Sequence, residues 1–267
     1  MPEIAEVHIS ADRLNELFSG FYLNKIEMDL KSKFIKYPIK NLDKFMFPIK
    51  LNCVYGKGKK IIFEFEDNKY IVSSMGMEGH WVLKGEKHSN IWFEFQNRTI
   101  YFDDSRHFGF IDICLNKEDL NNVMSKVGYC LLSERDKITS EWWLKQFRNN
   151  RIKKIVCDFL IDQTRFSGIG NWLRAEILYK SKINPYKKIL ELSEEEIELL
   201  RMITFKIIDE AYKLGGLTIV SYWDPFGKKG QYECECYNMK VDSLGNKVIK
   251  EKVAGGRMIH WVPEVQK

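Results

Sequence analysis

The apolar residues of this 267-residue chain change their period once, near residue 116, and that change bounds what the chain can fold into. From Phe21 to about Leu115 they fall in short runs rich in β-branched and aromatic residues. Among these are Lys60-Ile61-Ile62-Phe63-Glu64-Phe65, Tyr70-Ile71-Val72, Ile91-Trp92-Phe93-Glu94-Phe95 and Ile100-Tyr101-Phe102, separated by turn formers. Runs of this length and spacing predict the strands of a β-sandwich or barrel. After Lys117 helical spacing takes over. Helices are expected over 144–162, 171–181 and about 193–214, with a turn at 164–170 and stop signals at Asn184-Pro185 and Gly215-Gly216. The tail from Gln231 to Lys267 alternates apolar and polar residues around Gly245-Asn246 and Gly255-Gly256, the pattern of a pair of hairpins. The expected class is α+β, with a domain boundary within 116–136.

Ahead of the strands, Ile4, Val7, Leu14, Leu17 and Phe18 share one helical face and Gly20 supplies a stop, so a helix is expected from Glu3 to Ser19. Its start carries chemistry. Removal of Met1 would leave Pro2 as a free terminal amine with a pKa near ~8, against ~10.4 for lysine, so a sizeable fraction is nucleophilic at neutral pH. A secondary amine of this kind can go directly to a charged iminium, a good electron sink. Two carboxylates, Glu3 and Glu6, lie within one turn. Taken alone, Pro-Glu is more simply the first turn of a helix, since proline and acids both suit that position.

The balance of 42 Lys+Arg against 37 Asp+Glu, net +5, is compatible with a polyanionic partner without requiring one. Basic residues gather at Lys57, Lys59 and Lys60, at Lys145, Arg148, Arg151, Lys153 and Lys154, and from Lys228 to Arg257, while Glu194, Glu195, Glu196 and Glu198 read as a solvated helix face. No pair of the six cysteines has the spacing of a zinc ribbon or redox motif, so reduced thiols and no bound metal or cofactor are expected. No apolar run reaches the ~20 residues of a membrane span, and no signal-peptide core is present. An intracellular protein, nuclear or cytoplasmic, is expected.

The most specific motif is Gly168-Ile169-Gly170-Asn171 followed by Trp172-Leu173-Arg174-Ala175-Glu176-Ile177-Leu178-Tyr179. Glycines there let backbone amides approach an outside group, and a helix N-terminus suits a phosphate; an ordinary helix-turn-helix corner would look much the same. The stretch from Leu160 to Tyr179, together with Pro2-Glu3, resembles the formamidopyrimidine-DNA glycosylase/endonuclease VIII family. Both matches lie far apart in the chain. The resemblance implies an N-terminal β-sandwich carrying the active-site helix, a helix-two-turn-helix domain, and damaged DNA bound in the cleft between domains by a monomer. The corresponding ranges are 1–117 for the sandwich, 118–136 for a linker, 137–230 for the helical domain and 231–267 for a terminal finger.

Carried over residue by residue, the resemblance implies Pro2 as nucleophile, Glu3 as general acid/base, and Glu6 as a group that orients the site or meets the sugar. Gly58-Lys59 matches the family's strand-start lysine, with Lys57 and Lys60 as the neighbours a shifted register would substitute. Gly76-Met77-Glu78-Gly79 and Asp104-Ser105-Arg106-His107-Phe108-Gly109 look like the loops that fill the hole left by an extruded base, making Met77, Arg106 and Phe108 the void-filling set. His107 has no assigned job. Asn171 would contact the DNA backbone. Thr164 stands where relatives often have a basic residue, with Arg165 as a replacement, and 216–230 occupies the place of the loop that caps the lesion in some relatives.

The tail departs from the family's commonest pattern. Cys234 and Cys236 are one residue apart, and Trp261-Val262-Pro263-Glu264-Val265-Gln266 has no cysteine. Residues 245–261 instead resemble the zincless finger of some endonuclease VIII-like enzymes, with Arg257 near the tip. The implied activity is a bifunctional DNA glycosylase and abasic-site lyase acting on oxidised bases through a Schiff base with β,δ-elimination. Two other classes remain: a non-catalytic nucleic-acid-binding protein, which leaves Pro2-Glu3 unexplained, and a metal-dependent nuclease, for which no compact ligand set appears.

Overall fold

The computed structural model describes every residue except Met1, Asn150, 219–222 and 254–255. Its contacts divide the chain into two units, one of residues 1–126 with 215–231, the other of 127–214 with 232–267. The helical range expected for 137–230 therefore ends early. Residues 215–231 group with the first unit because Leu217 N–H donates to Glu6 Oε1 at 2.8 Å and Asp224 pairs with Arg13 at 3.7 Å.

The first unit opens with helix α1, Ile4–Phe18, whose Val7, Ala11, Leu14, Leu17 and Phe18 are buried in the core. Eight strands follow, β1 (Tyr22–Met28), β2 (Ile49–Lys57), β3 (Lys60–Phe65), β4 (Tyr70–Ser74), β5 (His80–Val82), β6 (Ser89–Phe95), β7 (Thr99–Asp103) and β8 (Phe110–Cys114). A one-turn helix α2 (Lys33–Lys36) lies between β1 and β2, and α3 (Lys117–Met124) follows β8. The strands form one ladder in the order β5-β7-β6-β1-β2-β3-β4-β8. Its middle joint is thin, only Tyr22↔Lys50 and Leu23↔Ile49.

The ladder is folded over at that joint. Phe63 on β3 and Trp81 on β5 are five strands apart in the ladder, which would separate them by about 24 Å in a flat sheet at ~4.8 Å per strand. Their ring centroids are 5.5 Å apart, and Phe93 on β6 touches both. The two halves thus face each other across one aromatic core, which is the sandwich expected from the run spacing. Helix α1 closes it: Asn15 Oδ1 accepts from Val54 N–H at 2.8 Å, and a Cβ at Gly56 would meet the His8 ring at 2.7 Å, so glycine lets α1 sit close on β2.

The second unit holds α4 (Ser140–Phe147), α5 (Val156–Leu160), α6 (Asn171–Lys180), α7 (Glu194–Lys213) and the hairpin β9 (Ile249–Lys252)–β10 (Met258–Trp261). The continuous helix expected over 144–162 is two short helices. Thr139 caps α4 through Trp142 N–H at 3.1 Å, and Asn149 Oδ1 takes Arg151 N–H at 3.1 Å, a side-chain turn that competes with helix continuation. Helix α7 starts at the Ser193/Glu196 capping box, as its sequence indicates. Trp143, Phe147, Phe159 and Phe166 stack at centroid distances of 4.6–5.8 Å to form this unit's core. Of the two expected tail hairpins only β9–β10 is a ladder among the described residues. The other is the single bridge Val241↔Lys247, because Asp242 Oδ1 captures Leu244 and Asn246 N–H at 2.9 and 2.8 Å and closes a side-chain turn instead.

Candidate active site

Pro2 and Glu3 precede α1, and Glu3 is its N-cap residue in extended conformation. Glu3 and Glu6 are 1% and 0% exposed. The Glu6 carboxylate bridges two backbone amides, taking Glu3 N–H on Oε2 and Leu217 N–H on Oε1, both at 2.8 Å. One buried carboxylate thereby fixes the start of α1 and the beginning of the 215–231 segment.

A cavity of about 430 Å³ opens beside Pro2, lined also by Val7, Lys59, Lys60, Ser74, Met75, Gly76, Met77, Phe108 and Phe110. Pro2, Lys59, Met77 and Phe108, chosen separately along the sequence, therefore share one cavity. Lys59 enters it from the β2–β3 turn, and its neighbour Lys60 lines it as well. Burial pushes the Lys60 pKa below the ordinary lysine value, with Asp112 opposing the shift.

The loops bearing Met77 and Phe108 are locked together. Ser105 Oγ donates to Glu78 Oε2 at 2.9 Å, Arg106 reaches Glu78 Oε1 at 3.6 Å, and the Arg106 guanidinium lies over the Phe108 ring at 5.0 Å. Gly76 has φ +62° and a Cβ there would meet the Phe108 carbonyl carbon at 2.6 Å, so glycine is required on both counts. Met77 and Phe108 remain 36% and 48% exposed, apolar side chains held in solvent by polar loops.

In the second unit Asn171 opens α6, but its side-chain oxygen turns inward and accepts from Arg174 Nη2 at 3.3 Å. Arg174, 1% exposed, also donates to Cys157 O at 3.2 Å and Met258 O at 2.7 Å, tying α5, α6 and β10 together. The amide of Gly168, expected to face outward, instead donates to Gln163 Oε1 at 3.1 Å. Arg257, exposed beside the hairpin tip, lines a second cavity of about 490 Å³ with Lys154, Asp158, Ile161, Asp162 and Gln163. Thr164 donates to Asp162 Oδ1 at 2.7 Å, and Lys154 pairs with Asp162 at 3.2 Å. Burial would raise the Asp162 carboxyl, but the Thr164 and Lys154 bonds outweigh it and leave its pKa below the ordinary value.

Arg174 and Glu176 carry structural roles that no motif in the sequence marks. The Glu176 carboxylate, 0% exposed, accepts Glu235, Cys236 and Tyr237 N–H at 3.0, 2.9 and 2.7 Å and so seats the start of the terminal finger. Two charged residues inside a helix buried on every side were the available signal. Cys236, Val248 and Val262 pack with Tyr179 and Val265 into an apolar plug. The six cysteines are free thiols, and among the described residues no group of three or more His, Cys, Asp or Glu could hold a metal ion. Among those residues no helix is long and apolar enough to cross a membrane.

Residues 1–111 match the family model described as the formamidopyrimidine-DNA glycosylase N-terminal domain, and residues 133–222 match the corresponding H2TH domain. The formamidopyrimidine-DNA glycosylase of Lactiplantibacillus plantarum is 30% identical, with 100% of both chains covered. That of Mycoplasmopsis pulmonis is 30% identical over 87% of this chain and 84% of its own. Among solved structures, the MutM (Fpg) protein of Thermus thermophilus superimposes with a TM-score of 0.89 at 25% identity, covering 99% of this chain and 98% of its own. A Lactococcus lactis Fpg mutant in complex with Fapy-dG-containing DNA gives 0.88 at 25% identity, with 100% of both chains covered.

Proposed function

The chain belongs to the formamidopyrimidine-DNA glycosylase family, and on that premise we propose that it excises oxidised bases from DNA in base excision repair and cuts the strand at the abasic site it creates. The observation that carries this reading is the single cavity shared by Pro2, Lys59, Met77 and Phe108. It puts an amine nucleophile, a lysine and two apolar wedges around one space, which base extrusion followed by imine chemistry requires. The Lactococcus lactis relative bound to Fapy-dG DNA supports damaged DNA as the partner.

The Pro2 nitrogen attacks C1′ of the damaged nucleotide once Met1 has been removed; Met1 itself lies outside the described residues. The base departs with the electron pair of the N-glycosidic bond, the sugar ring opens, and C1′ is left as an iminium on Pro2. Glu3 supplies and takes back the protons of these steps, held at the N-cap beside the amine. The iminium acidifies C2′–H; loss of that proton expels the 3′ phosphate, and a second elimination expels the 5′ phosphate. Glu6 orients the site through its two backbone bonds, and Lys59 supports elimination from the cavity wall. Met77, Arg106 and Phe108 fill the vacated stack.

Asn171, its oxygen held by Arg174, offers its Nδ2 donor, and Arg257 its guanidinium, to backbone phosphates; a guanidinium can bind a phosphate bidentately where lysine cannot. Residues 231–267 act as a finger held by the Glu176 clasp, the Asp242 turn and the apolar plug in place of zinc, the feature that points to the endonuclease VIII-like branch. The test is incubation with duplex oligonucleotides that each carry one oxidised pyrimidine, formamidopyrimidine, hydantoin or 8-oxoguanine. Cleavage leaving phosphates on both sides of a one-nucleotide gap is expected for at least one lesion. Intact strands across the panel would favour a non-catalytic DNA-binding role.

A further inference from the structure

We infer that Lys33, a residue outside the catalytic set, is the positioning residue for the Phe108 wedge and thereby for activity on duplex DNA. The inference rests on the void-filling reading of Phe108. Lys33 opens α2, where Ser32 Oγ caps Phe34 N–H at 3.2 Å and Phe34, 5% exposed, plugs into the sandwich core, so its backbone is fixed. From that anchor its ammonium donates to the carbonyl of His107 at 2.8 Å and to the carbonyl of Gly109, the two residues that flank Phe108. The same nitrogen lies 4.5 Å from the centroid of the Phe110 ring.

These bonds hold a loop that needs holding. His107 adopts φ +55°, a left-handed conformation that a side chain with a Cβ rarely takes, and Phe108 is 48% exposed with its apolar ring in water. Asp104 Oδ2 ties the far end through Gly109 N–H at 2.6 Å. Burial lowers the Lys33 pKa from the ordinary lysine value, and the Asp104 charge opposes that shift and favours the charged donor. Without the ammonium, two carbonyls lose a donor and His107 can relax to an ordinary conformation, turning Phe108 away from the cavity. A wedge is required where the extruded base leaves a stacked partner strand, and much less where no opposing strand exists. The expected signature is therefore a change in the ratio of duplex to single-strand excision.

The experiment measures single-turnover excision of one lesion in duplex and single-stranded oligonucleotides with the full-length processed protein, for the parent, Lys33→Met, Lys33→Arg, Phe108→Ala and the Lys33→Met/Phe108→Ala double variant. Thermal melting checks that each is folded. Lys33→Met, which removes both charge-assisted hydrogen bonds, is expected to lower the duplex-to-single-strand ratio about tenfold or more, with partial rescue by Lys33→Arg. The double variant is expected to fall no further than Phe108→Ala alone, because both changes remove the same wedge. A parental ratio in Lys33→Met, while Phe108→Ala lowers it, would overturn the role of Lys33 alone. A parental ratio in Phe108→Ala would overturn the wedge reading and the inference with it.

Discussion

The duties proposed for the neighbours Pro2 and Glu3 are separable, and single substitutions can tell them apart. On the proposed mechanism Glu3 is needed most where a base must leave an intact nucleotide, whereas a ready-made abasic site already offers an aldehyde to the amine. Glu3→Gln is expected to slow base excision by about 10²-fold or more, the usual scale of general acid/base catalysis, and strand cleavage at an abasic site much less. Equal losses in the two single-turnover assays would remove Glu3 from the base-release step. A second residue reports on stability. His260 is 6% exposed and neither ring nitrogen has a hydrogen-bond partner among the described residues. Burial first, then the charges of Lys250 and Arg174, pushes its pKa from 6.5 down to about 4. The unfolded chain takes up this proton first, so the neutral side chain contributes fully above pH 6.5 and its contribution drains away toward pH 4, at no more than about 1.4 kcal/mol per pH unit. His260→Phe is expected to flatten the acid side of the urea-unfolding stability profile between those limits; a slope equal to the parent's would contradict the assignment.

Among elements, those set by local pattern were legible and those set by distant partners were not. Strand β3 and helix α1 follow the apolar spacing of residues 60–65 and 4–18, and Pro2, Lys59, Met77 and Phe108, each part of a short motif, line one cavity. The break between α4 and α5 includes a side-chain bond from Asn149 Oδ1 to Arg151 N–H, which apolar period does not register. Lys33 was invisible because its partners His107 and Gly109 lie 74 and 76 residues away, and nothing in the run Lys31-Ser32-Lys33 marks it. Glu176 is the element-scale test of the finger. Its carboxylate serves three backbone amides of 235–237, so Glu176→Gln, which keeps one oxygen and no charge, should destabilise the protein by about 1–3 kcal/mol. Amide exchange in 235–237 should accelerate and the melting midpoint drop; unchanged exchange there would mean the finger is held by the apolar plug alone.

For the whole molecule, the proposed finger keeps its shape through side-chain clasps and packing, without metal ligands. Purified protein is expected to contain no stoichiometric zinc and to retain excision activity after exhaustive chelation, whereas one zinc per chain by metal analysis would contradict it. Trapping decides whether the mature N-terminal amine is the nucleophile. Incubation of the processed full-length chain with lesion-bearing and abasic DNA in the presence of borohydride should reduce the iminium to a stable amine, and peptide sequencing of the adduct should place the DNA on Pro2. Protein that retains Met1 should give no adduct through this residue, since its proline nitrogen is held in a peptide bond. A covalent product on Pro2 is the result expected; no adduct from fully processed protein with any lesion or with abasic DNA, or an adduct confined to a lysine, would contradict the account.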